Sequence, residues 1–307
     1  MLTMFGTPKP FNGHIGVIQR NALKSWTLLH PDVEVILFGD EKGAAEVCRD
    51  LGIRHEPEVR RNEYGTKYLN DMFDRAAELS RHPFLCYANC DIMLLPSFCR
   101  AVERVSTAHS KFLMAGCRWD IDITEPWDFS LAWDERLRSM VESRGMKKGL
   151  GWIDYFCFSR ELYRGEIPPL VVGRCWWDQW LIWKAKKLGA AVIDSTGAVL
   201  AVHQNHDYSY HPEGFKGTLE GEEAMANRRL AGGKWHLYTL MEATHQLGPD
   251  EEKRHWGHSL MPYVRTWWNP LWYSFLSATL PARRRLKLQR APIMKALGRD
   301  TVSDSRT

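Results

Sequence analysis

The 307 residues are 44% hydrophobic and 25% charged, with 23 Gly and 15 Pro spread along the chain, an ordinary globular composition with room for one large domain or two small ones. Net charge is +4, yet residues 251–307 hold 11 Lys and Arg against 4 Asp and Glu, leaving 30 against 33 before them, so a slightly acidic body precedes a basic tail. No stretch approaches the roughly 20 apolar residues that span a bilayer, the first twenty residues lack a signal-peptide pattern, and seven scattered Cys without any Cys-x-x-Cys encode neither a disulfide framework nor a zinc knuckle. A reducing, cytoplasmic compartment is expected, with the inner face of the membrane as a place of contact.

In chain order, Leu2 to Phe5 reads as a short strand and Ile15 to Leu29 as a helix with Ile15, Ile18, Ala22 and Trp26 on one face. Val33 to Phe38 is a continuous apolar strand closed by Gly39-Asp40, Ala44 to Leu51 a short helix ended by Gly52, and Ile53 to Val59 another strand. A longer amphipathic helix over Lys67 to Leu79 precedes the buried strand Phe84 to Ala88. Next come a helix over Ser97 to Ser106, a strand over Phe112 to Cys117, a Trp-rich polar stretch to Phe129, and a helix over Leu131 to Ser143. Tyr155 to Phe158 is strand-like, Trp177 to Leu188 is a helix, and Ala191 to Val202 holds one or two strands. Apolar strands alternating with amphipathic helices predict an α/β fold with a mostly parallel sheet covered on both faces. One domain over 1–250 is expected, followed by an aromatic and basic helical tail over 251–307.

In open α/β sheets ligands gather outside the carboxyl ends of the strands. Three such places carry polar chemistry. Asn89-Cys90-Asp91, after Phe84–Ala88, offers an amide and a carboxylate on alternate residues, oxygen ligands suited to Mg²⁺ or Mn²⁺; the alternative is an Asx-turn. Asp40, after the second strand, has a carboxylate for a nucleobase or ribose, or is only a turn residue. His203 and His206, with His211 following, concentrate imidazoles at a strand exit, where they can ligate a metal. Asp178, at the start of a helix among Trp176, Trp177 and Trp180, would have its pKa raised by burial, as a general base needs, or would simply favour the helix dipole. Asp154 is a similar carboxylate.

Together these residues resemble the GT-A class of nucleotide-sugar glycosyltransferases, most closely a bacterial family 2-like group, over roughly Leu2 to Thr244. The resemblance implies that Asp40 contacts the nucleobase and that Asn89-Cys90-Asp91 stands in the place of the DxD motif, with its first Asp replaced by Asn. It further implies Asp91 as metal ligand with His203 and His206, and Asp178 as the base of an inverting displacement, with Asp154 as the second catalytic candidate. Thr7, Pro8, Tyr64, Thr66, Asn70 and Asn89 would line the donor pocket. Lys67 is placed either to meet a phosphate or as a solvated helix lysine. The implied partners are a nucleotide-diphosphate sugar and a glycan or lipid-linked acceptor, with Mn²⁺ or Mg²⁺ as cofactor. Retention of configuration is the alternative outcome.

Aromatics over Tyr263 to Tyr273 beside Arg283-Arg284-Arg285 and Lys287 suit an anionic membrane surface, so peripheral contact through 263–290 competes with simple packing of a C-terminal helix. A nucleotidyltransferase would need a Gly-rich, Arg-containing loop after the first strand, which TPKPFNGHIG lacks. A non-catalytic carbohydrate- or membrane-binding protein would account for the 14 Trp but not for carboxylates and histidines after successive strands. The acidic body and the absence of a recognition motif argue against nucleic acid.

Overall fold

The computed structural model describes residues 1–206 and 214–255. The described residues all belong to one unit, Met1–Ser259. The expected membrane-contacting tail and His211 lie outside the described residues.

The elements run β1 (Leu2–Gly6), α1 (Gly13–Thr27), β2 (Val33–Phe38), α2 (Ala44–Leu51), β3 (Arg54–Glu56), α3 (Leu69–Leu79), β4 (Phe84–Ala88), β5 (Ile92–Leu94), α4 (Ser97–Ala108) and β6 (Phe112–Ile121). They continue α5 (Trp133–Arg144), β7 (Met146–Lys147), β8 (Ile153–Ser159), α6 (Trp177–Lys187), β9 (Ala191–Asp194), β10 (Ala201–Gln204), α7 (Gly214–Glu220), α8 (Glu222–Leu230), β11 (His245–Leu247) and β12 (Glu252–Arg254). The main sheet has the order β12-β11-β9-β6-β8-β4-β1-β2-β3. It is α/β and mixed rather than parallel throughout: β8 runs antiparallel between β4 and β6, and β12 antiparallel on β11.

The sheet is buried on both faces. On one side Phe5, Phe73, Tyr87 and Phe158 form a ring pile under α3 and α6, with Phe73 and Phe158 stacked at 5.3 Å. On the other, Leu23, Trp26, Phe98 and Val102 of α1 and α4 cover Met4, Cys86 and Met114. Removing a ring such as that of Phe73 from this pile would cost about 3–5 kcal/mol.

Strand β6 serves two sets of partners. Its first half pairs with β8 and β9, and its second half with β10 and β7, so a branch β5-β10-β6-β7 grows from the main sheet. The register shifts between Ala115 and Cys117. Gly116 stands at that irregularity, where any Cβ would run into the Tyr155 hydroxyl. Among the described residues no helix is long and apolar enough to cross a membrane.

Candidate active site

Strands β1, β2 and β4 are parallel neighbours, so their carboxyl ends share one rim. Gly6 lets two of these ends close up: a Cβ there would stand 2.6 Å from the Ala88 carbonyl and 3.2 Å from Cys90 Sγ. After β4 the chain turns, with the Ile92 amide donating to the Asn89 carbonyl at 3.0 Å and Cys90 and Asp91 in the middle. Gln204 pins this turn, donating to the Asp91 carbonyl from its backbone N and from Nε2, each at 3.2 Å.

Register then explains the cluster. β10 lies between β5 and β6, so His203 is opposite Ile92 on one side and Asp120 on the other. His206 Nε2 comes 3.1 Å from Asp91 Oδ2, and the His203 and His206 rings are 5.4 Å apart. One ligand atom from each of Asp91, His203 and His206 lies within 4.8 Å of the other two. Asp91 Oδ1 is buried without a hydrogen-bond partner among the described residues, and so is His203 Nδ1, which sits 3.1 Å from Asp120 Oδ1 but without hydrogen-bond alignment. Burial pushes the Asp91 carboxyl up, but the His206 hydrogen bond and the charges of His203 and Lys9 outweigh it and hold the group well below the usual carboxylate range.

Lys9 follows β1 and places Nζ 3.3 Å from His206 Nε2. Its backbone is clasped by Gln19, which accepts from Lys9 N at 2.6 Å and donates to Lys9 O at 2.9 Å. A cation is thus held at the rim beside the Asp91 cluster.

Asn89 turns its amide to Asp154 at the start of β8, with Nδ2 donating to Oδ1 at 2.6 Å, while its own Oδ1 faces the Tyr87 hydroxyl at 3.3 Å. Arg118 holds the other Asp154 oxygen at 2.8 Å and Asp120 Oδ1 at 2.8 Å. Asp120 is pushed up by burial, then drawn down to about 2 by His203, Arg118 and Lys148. Asn89 therefore orients a neighbouring carboxylate. An aspartate in its place would set two carboxylates against each other.

Asp178 is the second residue of α6, whose head is fixed by Trp177 packing edge-on to Tyr87 at 5.3 Å and against Phe156 at 5.5 Å. Trp176, just before it, adopts φ +90°, an unusual conformation for a side-chain-bearing residue. Burial pushes the Asp178 carboxyl up to about 6; backbone amides at the helix head oppose this and the charge of Asp154 adds to it.

The Asp40 corner is separate in its bonding. Asp40 is largely exposed and paired with Arg61 at 2.5 Å; its carboxyl is lowered by its own backbone amide and then by Arg61. Lys67 is not a solvated lysine: it is buried, ion-paired with Glu41, and donates to the Pro8 carbonyl at 3.3 Å. Burial lowers its pKa against the pull of Glu41. Thr7 donates to the Phe38 carbonyl at 2.7 Å. Asn70, in the first turn of α3, has its Oδ1 buried and unpartnered among the described residues. Tyr64 and Thr66 lie in a loop stapled to α8: Tyr64 donates to Glu222 at 3.0 Å, Thr66 N to Asn62 Oδ1 at 2.9 Å, and Asn62 to Glu223 at 2.7 Å. Their hydrogen bonds run to α8 rather than to the Asp91 cluster.

Lys9, Arg118, Asp120 and Lys148 were not expected from the sequence. Arg118 and Asp120 lie beyond Cys117, where the strand was expected to end. Lys9 had only its place after β1 as a signal. Trp152, 39% exposed, lies under Arg118 at 4.9 Å and Lys148 at 4.5 Å, a flat ring beside the Asp154 carboxylate.

No family model matches the chain, and no curated protein matches it. Solved structures do. Glucosyl-3-phosphoglycerate synthase from Mycobacterium tuberculosis with Mg²⁺ and UDP matches with TM-score 0.46 and 14% identity over 76% of this chain and 80% of that one. The same enzyme with Mn²⁺, UDP and glucosyl-3-phosphoglycerate gives 0.45 and 13% over 76% and 80%. S. aureus TarS in complex with UDP-GlcNAc gives 0.42 and 10% over 67% of this chain and 59% of that one, so the chain spans about three fifths of the TarS chain. The expected resemblance to GT-A glycosyltransferases is met by these matches over 67–76% of the chain, each with a TM-score below 0.5, and the chemistry rests on the chain's own residues.

Proposed function

We propose that this protein is a metal-assisted glycosyltransferase that moves a sugar from a nucleotide-diphosphate donor to a hydroxyl of a glycan or lipid-linked acceptor. The observation that carries the reading is the convergence of Asp91, His203 and His206 near the strand ends, with Asp91 Oδ1 buried and without a hydrogen-bond partner among the described residues. One carboxylate and two imidazoles fit a divalent ion, and the nitrogen donors favour Mn²⁺ over Mg²⁺. When bound there, the ion would neutralise charge on the departing diphosphate.

The chain's own groups would do the rest. Lys9 would meet the same diphosphate, and Asp40, Thr7, Pro8, Tyr64, Thr66 and Asn70 would line the way to the nucleoside. Asp178 would take the proton of the acceptor hydroxyl, in an inverting displacement; a carboxyl at about 6 is a stronger base than an ordinary aspartate yet is ionised at neutral pH. Asp154, held by Asn89 and Arg118, would position the acceptor, whose sugar face would lie on Trp152. The transferase domain would comprise 1–250, and the tail would add peripheral membrane contact through 263–290.

Thermal-shift titration with a panel of nucleotide sugars, with and without Mn²⁺, tests this. Stabilisation by at least one donor that requires Mn²⁺ and disappears in Asp91→Asn is expected. Indifference to every nucleotide diphosphate would overturn the reading.

A further inference from the structure

A second group of histidines and carboxylates lies at the other end of β6. His109 follows α4 directly, and His245 and Glu252 come from the β11–β12 hairpin. The hairpin pairs His245 with Arg254 and Leu247 with Glu252, so these four share one face, the face whose Leu247 is buried. Arg104 of α4 draws the helix to the hairpin by donating to the carbonyls of Gly248 at 3.0 Å and Pro249 at 2.6 Å. His109 Nε2 lies 2.6 Å from Glu252 Oε1, and the His109 and His245 rings are 4.7 Å apart. One ligand atom from each of His109, His245 and Glu252 lies within 4.8 Å of the other two.

We propose that His109, His245 and Glu252 form a second metal site, separate from the Asp91 cluster, that takes a zinc-like divalent ion and clips the β11–β12 hairpin to the end of α4. Two imidazoles and one carboxylate are a zinc donor set. The protonation pattern supports it. Thr244 Oγ1 lies 3.0 Å from the Val192 carbonyl and 2.8 Å from His245 Nδ1; in the tautomer where the hydroxyl proton goes to the carbonyl, the ring nitrogen is the donor. His245 Nε2 is then the nitrogen with the lone pair, and the Thr244 hydroxyl acts as the outer partner that orients ligating histidines elsewhere. Place also favours a cation, since carbonyls at the carboxyl end of α4 point toward His109. Binding would widen the His109–Glu252 contact from 2.6 Å to about 3.3 Å, the spacing of two tetrahedral ligands near 2.0 Å from zinc, within reach of side-chain rotation.

Calorimetric zinc titration of the full chain at neutral pH tests this with the double variants H109A/H245A and H203A/H206A and the single variant Glu252→Gln. H109A/H245A should bind one zinc fewer than the wild type while keeping the site at Asp91, and H203A/H206A should keep the site at His109. Glu252→Gln, which preserves shape, should weaken the His109 site by about tenfold or more, as even outer-shell partners are worth about 10- to 100-fold. Wild-type zinc stoichiometry and affinity in H109A/H245A would overturn the proposal. Should that variant fail to fold by circular dichroism, unchanged zinc affinity in Glu252→Gln would overturn it instead. Loss of zinc only in H203A/H206A also counts against it, whereas loss only in H109A/H245A leaves it standing and counts against the Asp91 cluster.

Discussion

The two histidine and carboxylate clusters use the same residue classes at opposite ends of one strand. Between Phe112 and Asp120 strand β6 covers roughly 26 Å at about 3.3 Å per residue. At the amino end the groups are partly exposed and paired with each other, His109 against Glu252 and His245 against Thr244. At the carboxyl end Asp91 Oδ1 and His203 Nδ1 are buried without a hydrogen-bond partner among the described residues, with Lys9 beside His206 and Asp120 beside His203. Ligand type therefore does not separate the proposed clip from the proposed catalytic centre. What separates them is whether the surrounding polar groups are spent on one another or held ready for something else.

The difference can be broken most severely at Asp91. Asp91→Asn should lower turnover by about a thousandfold, since metal stabilisation of developing charge amounts to several kcal/mol, while zinc binding at His109 stays intact; steady-state kinetics and calorimetry on one preparation check both halves. Asp178→Asn follows, with turnover reduced by at least about a hundredfold for loss of a general base. In the wild type, kcat/KM should climb as pH rises through about 6, as the carboxyl loses its proton. The sign for stability is opposite. With a folded-state pKa raised from 3.8 to about 6, the protonated form is the one that folding favours, so the wild type loses stability as pH rises across that window. Asp178→Asn should therefore melt higher than the wild type above that window and match it below, which a series of thermal denaturations reads directly.

Asn89→Asp comes third. It sets a second carboxylate 2.6 Å from Asp154 Oδ1 and removes a buried hydrogen bond, at a cost of about 1–3 kcal/mol; chemical denaturation should show the loss, and an unchanged midpoint would mean that the pair is not held as described. Arg61→Ala should be mild, raising the donor KM by less than about fivefold, because an exposed ion pair such as that with Asp40 is worth about 0–1 kcal/mol. Smallest of all, H109A/H245A should leave turnover unchanged; a large loss would join the two ends of β6 functionally.

Much of the fold was readable because apolar runs such as Val33–Phe38 and Phe84–Ala88 have few alternatives to a buried strand, and because the helices between them carry clear amphipathic spacing. The direction of β8 was not readable: Ile153–Ser159 is as apolar as a parallel strand, and nothing local tells its neighbours' orientation. β5, β11 and β12 are three residues each, too short for any period to register. At the site, Asp91 and His206 follow strands as expected, whereas His203 lies within β10. Arg118 and Asp120 escaped because β6 runs on to Ile121 through its pairing with β7 and with β10, the latter about eighty residues away in sequence. The Asn in Asn89-Cys90-Asp91 looked like a weakened metal motif; its amide proves to be a donor to Asp154, a contact across a sequence separation of 65.

The irregularity at Gly116 has a consequence for how the rim could be lost. The extra position belongs to β8, which takes three steps from Phe156 to Ile153 where β6 takes two from Ala115 to Cys117. Side chains alternate along a strand, so losing one position from β6 changes which way every later residue faces. Deleting Gly116 would keep Phe112–Ala115 aligned on β8 and β9 yet rotate Arg118 and Asp120 half a turn away from Asp154 and His203. A one-codon loss in a glycine of no chemistry would thus disconnect Arg118 and Asp120 from their partners and turn Cys117 and Ile121 out of their hydrophobic clusters, while the layers built on Phe112–Ala115 stayed aligned.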